Sequence, residues 1–179
     1  LGSIVQSQLD FRKVSLPIMK ELVQQTKETV ELNILDDICR VCVEKVDSPL
    51  DVRNFVRIGE RKAAYMGASG KVLIAFLPDV ERKRMIDRLS EQEKCNSYIL
   101  EDDLRTIKQQ GFALTKGERV PGSFAVAVPI FEQSGGIAAS LTIAGPIQRL
   151  TDHQEKLYVD LLKKASKIIS EQLGYILTS

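Results

Sequence analysis

Cys39-Arg40-Val41-Cys42 is a C-x-x-C, the spacing that zinc sites and dithiol redox centres use. A tetrahedral zinc site needs four ligands. Here no second C-x-x-C follows, and the one histidine, His153, lies far away in sequence. On an extended strand, positions three apart point to opposite faces, which would separate the two thiols. The pair is therefore read as structural, with neither metal nor cofactor expected. His153 itself sits in Thr151-Asp152-His153-Gln154, which reads as the exposed first turn of a helix. A catalytic base needs a nucleophile and an orienting group within reach. Ser69 or Cys95 could serve as the nucleophile of a hydrolase, but a single histidine offers neither of them a persuasive base. The chain is not expected to be an enzyme.

Gly67-Ala68-Ser69-Gly70-Lys71 resembles part of a phosphate-binding loop, yet the pattern G-x-x-x-x-G-K-[ST] fails on both sides: position 65 is Tyr65 and Lys71 is followed by Val72. What survives is a turn of small residues leading into a short helix. The free N–H groups of such a helix start can receive a carboxylate or other anion. Close packing of the turn on a sheet would explain the same small residues, and helix-terminus physics alone does not separate the two readings.

These residues need a scaffold. The 179 residues suffice for one domain with a sizeable core, and the composition, 44% hydrophobic and 27% charged, is that of a folded protein. With 25 basic and 24 acidic side chains the formal charge is +1, so no net field draws in a phosphate backbone. Arg82-Lys83-Arg84 and Lys164-Lys167 have acidic residues nearby and no interleaved aromatic ones, and read as solvated helix faces. Runs such as Val72 to Leu77 are far shorter than a bilayer requires, and no signal peptide is apparent. Three cysteines without a framework spacing fit a reducing compartment, which places the protein in the cytoplasm.

Periodicity predicts an amphipathic helix over Val14 to Thr26 with Pro17 near its first turn, then two antiparallel strands over Glu28 to Val46 turning at Asp36-Asp37. An irregular stretch from Asp47 to Lys62 includes Phe55 to Ile58 as a possible short strand. Helices follow over Lys71 to Leu77, Asp79 to Leu89 and Glu101 to Gln110, the last capped by Gly111. Gly122 to Glu132 and Ile137 to Ala144 form a hairpin around Gly135-Gly136. A final helix runs from the Thr151-Asp152 cap to Gly174, with Leu157, Leu161, Leu162, Ala165, Ile168, Ile169 and Leu173 as its apolar positions. Helix, strands, short helices, strands, helix is the order of an α+β fold with an antiparallel sheet.

The hairpin is asymmetric. Phe124, Val126, Val128 and Ile130 share one face with Ile137, Ala139, Leu141 and Ile143. The other face carries Ala125, Ala127, Ala138, Ser140, Thr142 and Ala144. The last helix is expected to cover the bulky face. The small face, if covered by loops, would enclose a cavity holding a few hydroxyls; the alternative is that bulky residues of a covering element fill that space.

Three stretches resemble the IclR family of bacterial regulators. They are Ala68-Ser69-Gly70-Lys71-Val72-Leu73-Ile74-Ala75; Gly111-Phe112-Ala113 with Gly117-Glu118 and Gly122 to Phe131; and Ala139 to Pro146 followed by Arg149, a Gly-Pro-x-x-Arg ending. The resemblance runs over nearly the whole chain. It implies that residues 1–179 form an effector-binding domain with a GAF-like (profilin-like) antiparallel sheet flanked by helices. It also implies a winged helix-turn-helix DNA-binding domain before Leu1, with Leu1-Gly2 at its exit, and DNA contacts made only through that domain. Homodimers or tetramers, no membrane, and a small-molecule effector such as a carboxylic acid or an aromatic metabolite belong to the same expectation. Carried over position by position, the effector site comprises Ala68, Ser69 and Gly70 at the helix start, with Thr115, Ser123, Ala125, Thr142 and Ala144 as its wall. Thr115 stands where the family can have a carboxylate, Ala125 where a cysteine is common and Ala144 where a hydroxyl is common. That implies a less polar pocket, which argues against a very small, highly charged effector. A GAF-like interaction module of an unrelated signalling protein is the competing reading.

Overall fold

The computed structural model describes residues 2–177, with side chains from Asp10 onward. Six strands form one antiparallel sheet in the order β3-β2-β1-β6-β5-β4. They are β1 (Thr29–Asp36), β2 (Cys39–Val46), β3 (Arg61–Ala63), β4 (Ala113–Lys116), β5 (Ser123–Phe131) and β6 (Ile137–Pro146). Five helices flank them: α1 (Gly2–Thr26), α2 (Ala68–Ala75), α3 (Asp79–Glu93), α4 (Ser97–Gln110) and α5 (Asp152–Gln172). A 3-10 turn, Ile147–Arg149, links β6 to α5. The α+β expectation holds in this arrangement.

Each face of the sheet has its own core. On one, Phe124, Val126, Val128, Ile130, Leu141 and Ile143 pack against Met19 and Leu22 of α1 and Tyr158, Leu162 and Ile169 of α5. On the other, Ala125 and Ala127 meet Val72 and Ile74 of α2 and the apolar stripe Leu100, Leu104 and Ile107 of α4. Asn96 caps α4 by accepting hydrogen bonds from the backbone N–H of Tyr98 and Ile99, and Gly111 ends it in the left-handed conformation. Thr151 caps α5 by accepting from Gln154 N–H.

Several local expectations change. Pro17 lies deep inside α1 rather than in its first turn. It faces solvent, where the carbonyl one turn earlier can bond to water instead of to the missing N–H. Phe55 to Ile58 is not a strand; Phe55 and Ile58 are exposed. Pairing with β2 begins later, where Gly59 N–H donates to Cys42 O and Glu60 O accepts from Cys42 N–H. Helix α2 starts three residues earlier than periodicity suggested, and β4, too short to show an alternation, was not foreseen. Ile137 turns to the α2 side, because the β5–β6 register shifts at Ile130/Phe131 and reverses the last pair. In α5, Leu157 and Ile168 are exposed, while Tyr158, Ser166 and Ser170 join the buried stripe.

The Gly-Pro-x-x-Arg ending has a structural role. Glu28 is almost fully buried, and Arg149 grips its carboxylate with two hydrogen bonds, Nε to Oε1 at 2.6 Å and NH2 to Oε2 at 2.7 Å. A side chain at Gly145 would run into the Glu28 carboxylate, so the glycine makes room for the pair. The contact ties the segment entering β1 to the chain leaving β6 and compensates a charge that would be costly to bury alone.

Candidate functional site

The α2 side of the sheet is polar at its centre. Glu31 lies directly across from Thr142, and Asn33 across from Ser140, in the β1–β6 register. All four are buried to 98% or more. Arg40 of β2, with no exposed surface, donates from NH1 to Asn33 Oδ1 at 3.0 Å and from NH2 to Glu60 Oε2 at 3.2 Å. It stands 4.0 Å from Glu31 Oε2. Burial depresses the Arg40 pKa, with the Arg119 charge adding to the effect, while Glu31 and Glu60 oppose it. Burial also pushes the neighbouring Cys42 thiol up to about 12, with Glu31 adding to the shift, so it remains a protonated, unreactive thiol. The thiol donates to Glu44 O at 3.4 Å. Among the described residues, Asn33 Nδ2, Arg40 Nε, Ser140 Oγ and Thr142 Oγ1 are buried without a hydrogen-bond partner. Unpaired buried polar atoms are uncommon in native proteins, and four on one sheet face mark that face as unlike an ordinary core.

Helix α2 abuts this surface. Its backbone ladder begins with Lys71 N–H donating to Gly67 O, which leaves the N–H groups of Ala68, Ser69 and Gly70 ahead of the first intrahelical bond. Gly67 holds the turn at a φ of 86°, a conformation that side chains rarely adopt. A side chain at Gly70 would collide with the Ala64 backbone, so this glycine permits close approach of α2 to the strand-end loop.

Ala68, Ser69, Thr115, Ser123, Ala125, Thr142 and Ala144 line one cavity, together with Glu31, Asn54, Gly67, Glu118, Arg119 and Phe124. Gly70, named with them from the sequence, lies outside that wall and serves packing instead. Glu31, Glu118 and Arg119 bring three charges to this cavity. None of the three was named as a ligand contact from the sequence: Glu118 and Arg119 lie in the loop between Thr115 and Ser123, Glu118 within a quoted motif, and Glu31 comes from the distant strand β1.

The cavity is about 20 Å³, room for roughly one water molecule and not for a metabolite. Polar side chains fill the rest. Glu118 Oε1 accepts from Gly67 N–H at 3.2 Å and pairs with Lys71 Nζ at 2.7 Å. Arg119 packs along Gly67 and reaches Glu60 Oε2 at 3.4 Å, and Asn54 Nδ2 donates to Glu31 Oε1 at 2.6 Å. Lys71 also binds Asp103 at 2.6 Å. Burial works against its ammonium, but the hydrogen bonds to Asp103 and Glu118 outweigh that and hold its pKa above the usual lysine value. Glu118, Lys71 and Asp103 also border a larger, more apolar cavity of about 410 Å³ beside α4, with Tyr65, Cys95 and Leu100 in its wall.

The residues considered for hydrolysis do not assemble. His153 is exposed in the first turn of α5 and does not line the cavity that holds Ser69. Burial raises the Cys95 thiol pKa, the opposite of an activated thiolate.

A six-stranded antiparallel sheet with helices on both faces places the chain among α+β domains. A family model described as "Bacterial transcriptional regulator IclR C-terminal" matches residues 4–171, and the chain belongs to that family as an effector-binding domain. It is 32% identical over 180 residues to the HTH-type transcriptional regulator KdgR of Escherichia coli K12, covering 98% of this chain and 68% of that protein. Against KipR of Bacillus subtilis the identity is 29%, over 97% of this chain and 72% of the relative. The chain spans 59% of the KdgR of Dickeya chrysanthemi. Among solved structures, the Thermotoga maritima IclR superposes with a TM-score of 0.88 at 30% identity, over 97% of this chain and 72% of that one. The C-terminal domain of E. coli KdgR gives 0.81 at 32% identity, over 93% and 99%. These relatives are transcriptional regulators. Among the described residues, no helix is long and apolar enough to cross a membrane.

Proposed function

We propose that this domain senses a small metabolite in the cavity between the start of α2 and the small-residue face of β5 and β6, and is not an enzyme. The observation that carries the reading is the set of buried, unpartnered polar atoms on that face, with Thr142 Oγ1 in the cavity wall itself. A bound molecule with a complementary polar group would satisfy the Thr142 hydroxyl and would stabilise the bound state accordingly. Entry requires displacement of the β4–β5 loop that carries Glu118 and Arg119. Gly117 and Gly122 border that loop, both at positive φ.

In the full-length regulator, a DNA-binding domain precedes Leu1, a position outside the described residues. Two or four copies assemble, and the protein acts in the cytoplasm. The effector changes how the copies hold their DNA-binding domains, and only a difference in its affinity for the two arrangements can drive that change. A panel of carboxylic acids and aromatic metabolites, followed by thermal melting, tests the site. A true effector raises the midpoint as its concentration rises. The cavity-filling variant Ala144→Leu, provided it melts cooperatively, should abolish that response. A response that survives in Ala144→Leu would move the effector elsewhere, and a panel without effect would remove the sensing site altogether.

A further inference from the structure

The cavity of about 410 Å³ beside α4 shares Glu118 with the small cavity and none of its other walls. Its volume lies within the range of about 300–1,000 Å³ that small-molecule sites span. Much of the wall is apolar: Tyr65 and Met66 come from the turn before α2, and Ile99 and Leu100 from the first turn of α4. The charged part is Lys71, Asp103 and Glu118. Lys71 Nζ holds Asp103 Oδ2 at 2.6 Å and Glu118 Oε1 at 2.7 Å, so one ammonium serves two carboxylates and the wall keeps an excess of negative charge. A carboxylate offers about four acceptor positions on its two oxygens, so both retain capacity for a further donor. Their side chains are 40% and 32% exposed, within reach of a molecule entering from solvent. Burial raises the Cys95 thiol pKa and the Glu93 charge adds to the rise, so a third carboxylate acts on the same wall. An anion entering here would meet like charges and an ammonium that is already paired twice.

We propose that this cavity is a second ligand site, separate from the sensing cavity, and that it takes a small primary amine with an apolar body. The ammonium donates to Asp103 and Glu118, which completes an alternating array of two cations and two carboxylates and neutralises the excess charge of the wall. The apolar body lies against Tyr65, Met66, Ile99 and Leu100, where its removal from water supplies the remaining affinity. Charge selects the class of ligand: an alcohol of the same shape loses the ion contacts, and an acid of the same shape meets repulsion.

The test is a titration of the protein, by calorimetry, with sets of compounds matched in shape: phenethylamine, 2-phenylethanol and 3-phenylpropionate, then hexylamine, hexanol and hexanoate. At least one amine should bind about ten-fold more tightly than its alcohol, the gain expected from two partly exposed ion contacts, with the acid weakest of the three. Asp103→Asn should bring the amine down to the affinity of the alcohol. Ile99 is 62% exposed, so Ile99→Arg spares the fold while setting bulk and a cation beside the cavity, and it should abolish amine binding. Ala144 lines only the small cavity, so Ala144→Leu should leave amine binding unchanged. Absence of binding by both amines overturns the proposal. Alcohols that bind as tightly as the amines, or an amine affinity unmoved by Asp103→Asn, overturn the cationic class. Amine binding that survives Ile99→Arg, or is lost in Ala144→Leu, overturns the location. Tighter binding of the peptide Ala-Lys-Ala than of either amine would put a partner's lysine side chain in the cavity and overturn the small-molecule assignment.

Discussion

The two faces of the sheet are built from the same strands and do opposite work. On the α1/α5 side, β5 and β6 present Phe124, Val126, Val128, Leu141 and Ile143 to a continuous apolar core. One residue along each strand, the other side presents Ala125, Ala127, Ser140, Thr142 and Ala144, and across β1 and β2 it adds Glu31, Asn33 and Arg40. The first face gains stability from dense packing and the hydrophobic effect. The second buries charges and leaves polar atoms unpaired, an arrangement that costs stability unless something completes it. A fold can carry such a face because the opposite one holds the sheet together.

Substitutions can break this contrast, the largest effect being expected on the apolar side. Leu141→Ala removes a fully buried side chain and should destabilise by about 2–5 kcal/mol in chemical denaturation. A loss under 1 kcal/mol would mean that this face is not the main source of stability. Arg149→Ala leaves Glu28 buried without its partner; because Arg149 is itself partly exposed, water relieves some of the penalty and a loss of about 2 kcal/mol is expected. Thr142→Val should go the other way. Replacing a buried, unpartnered hydroxyl by a methyl of the same shape is expected to raise stability by about 1 kcal/mol while weakening the response to effector. If Thr142→Val destabilises instead, the hydroxyl has a partner in the free protein and the contrast between the faces softens. The smallest effect belongs to Ile168→Ala on the exposed flank of α5, within about 0.5 kcal/mol for a single chain. A larger, concentration-dependent change in melting would instead place that flank in contact with another copy.

Much of the scaffold was legible because its signals are local. The period of two in Phe124 to Ile130 and Ala139 to Ile143 assigned the hairpin faces correctly, and the cap residues Thr151 and Gly111 marked helix ends. The errors fell where distant contacts decide. Ile137 changed sides at a register shift, and Phe55 and Ile58 remained exposed because β2 pairs with Gly59 and Glu60 instead. Tyr158 displaced Leu157 in the buried stripe because its ring stacks on Phe124 at 5.8 Å.

The amino-acid order by itself determined which residues could face one another: a small, hydroxyl-bearing strand face and a glycine-led helix start, both set by backbone geometry over a few residues. Only the tertiary structure decided the charge of the space between them. Glu31, Arg40, Asn54 and Arg119 come from four separate segments: pairing of β1 with β2 sets Arg40 beside Glu31, while Asn54 and Arg119 approach from loops. No periodicity encodes that meeting, because the electrostatic interactions concerned act through space between residues far apart along the chain.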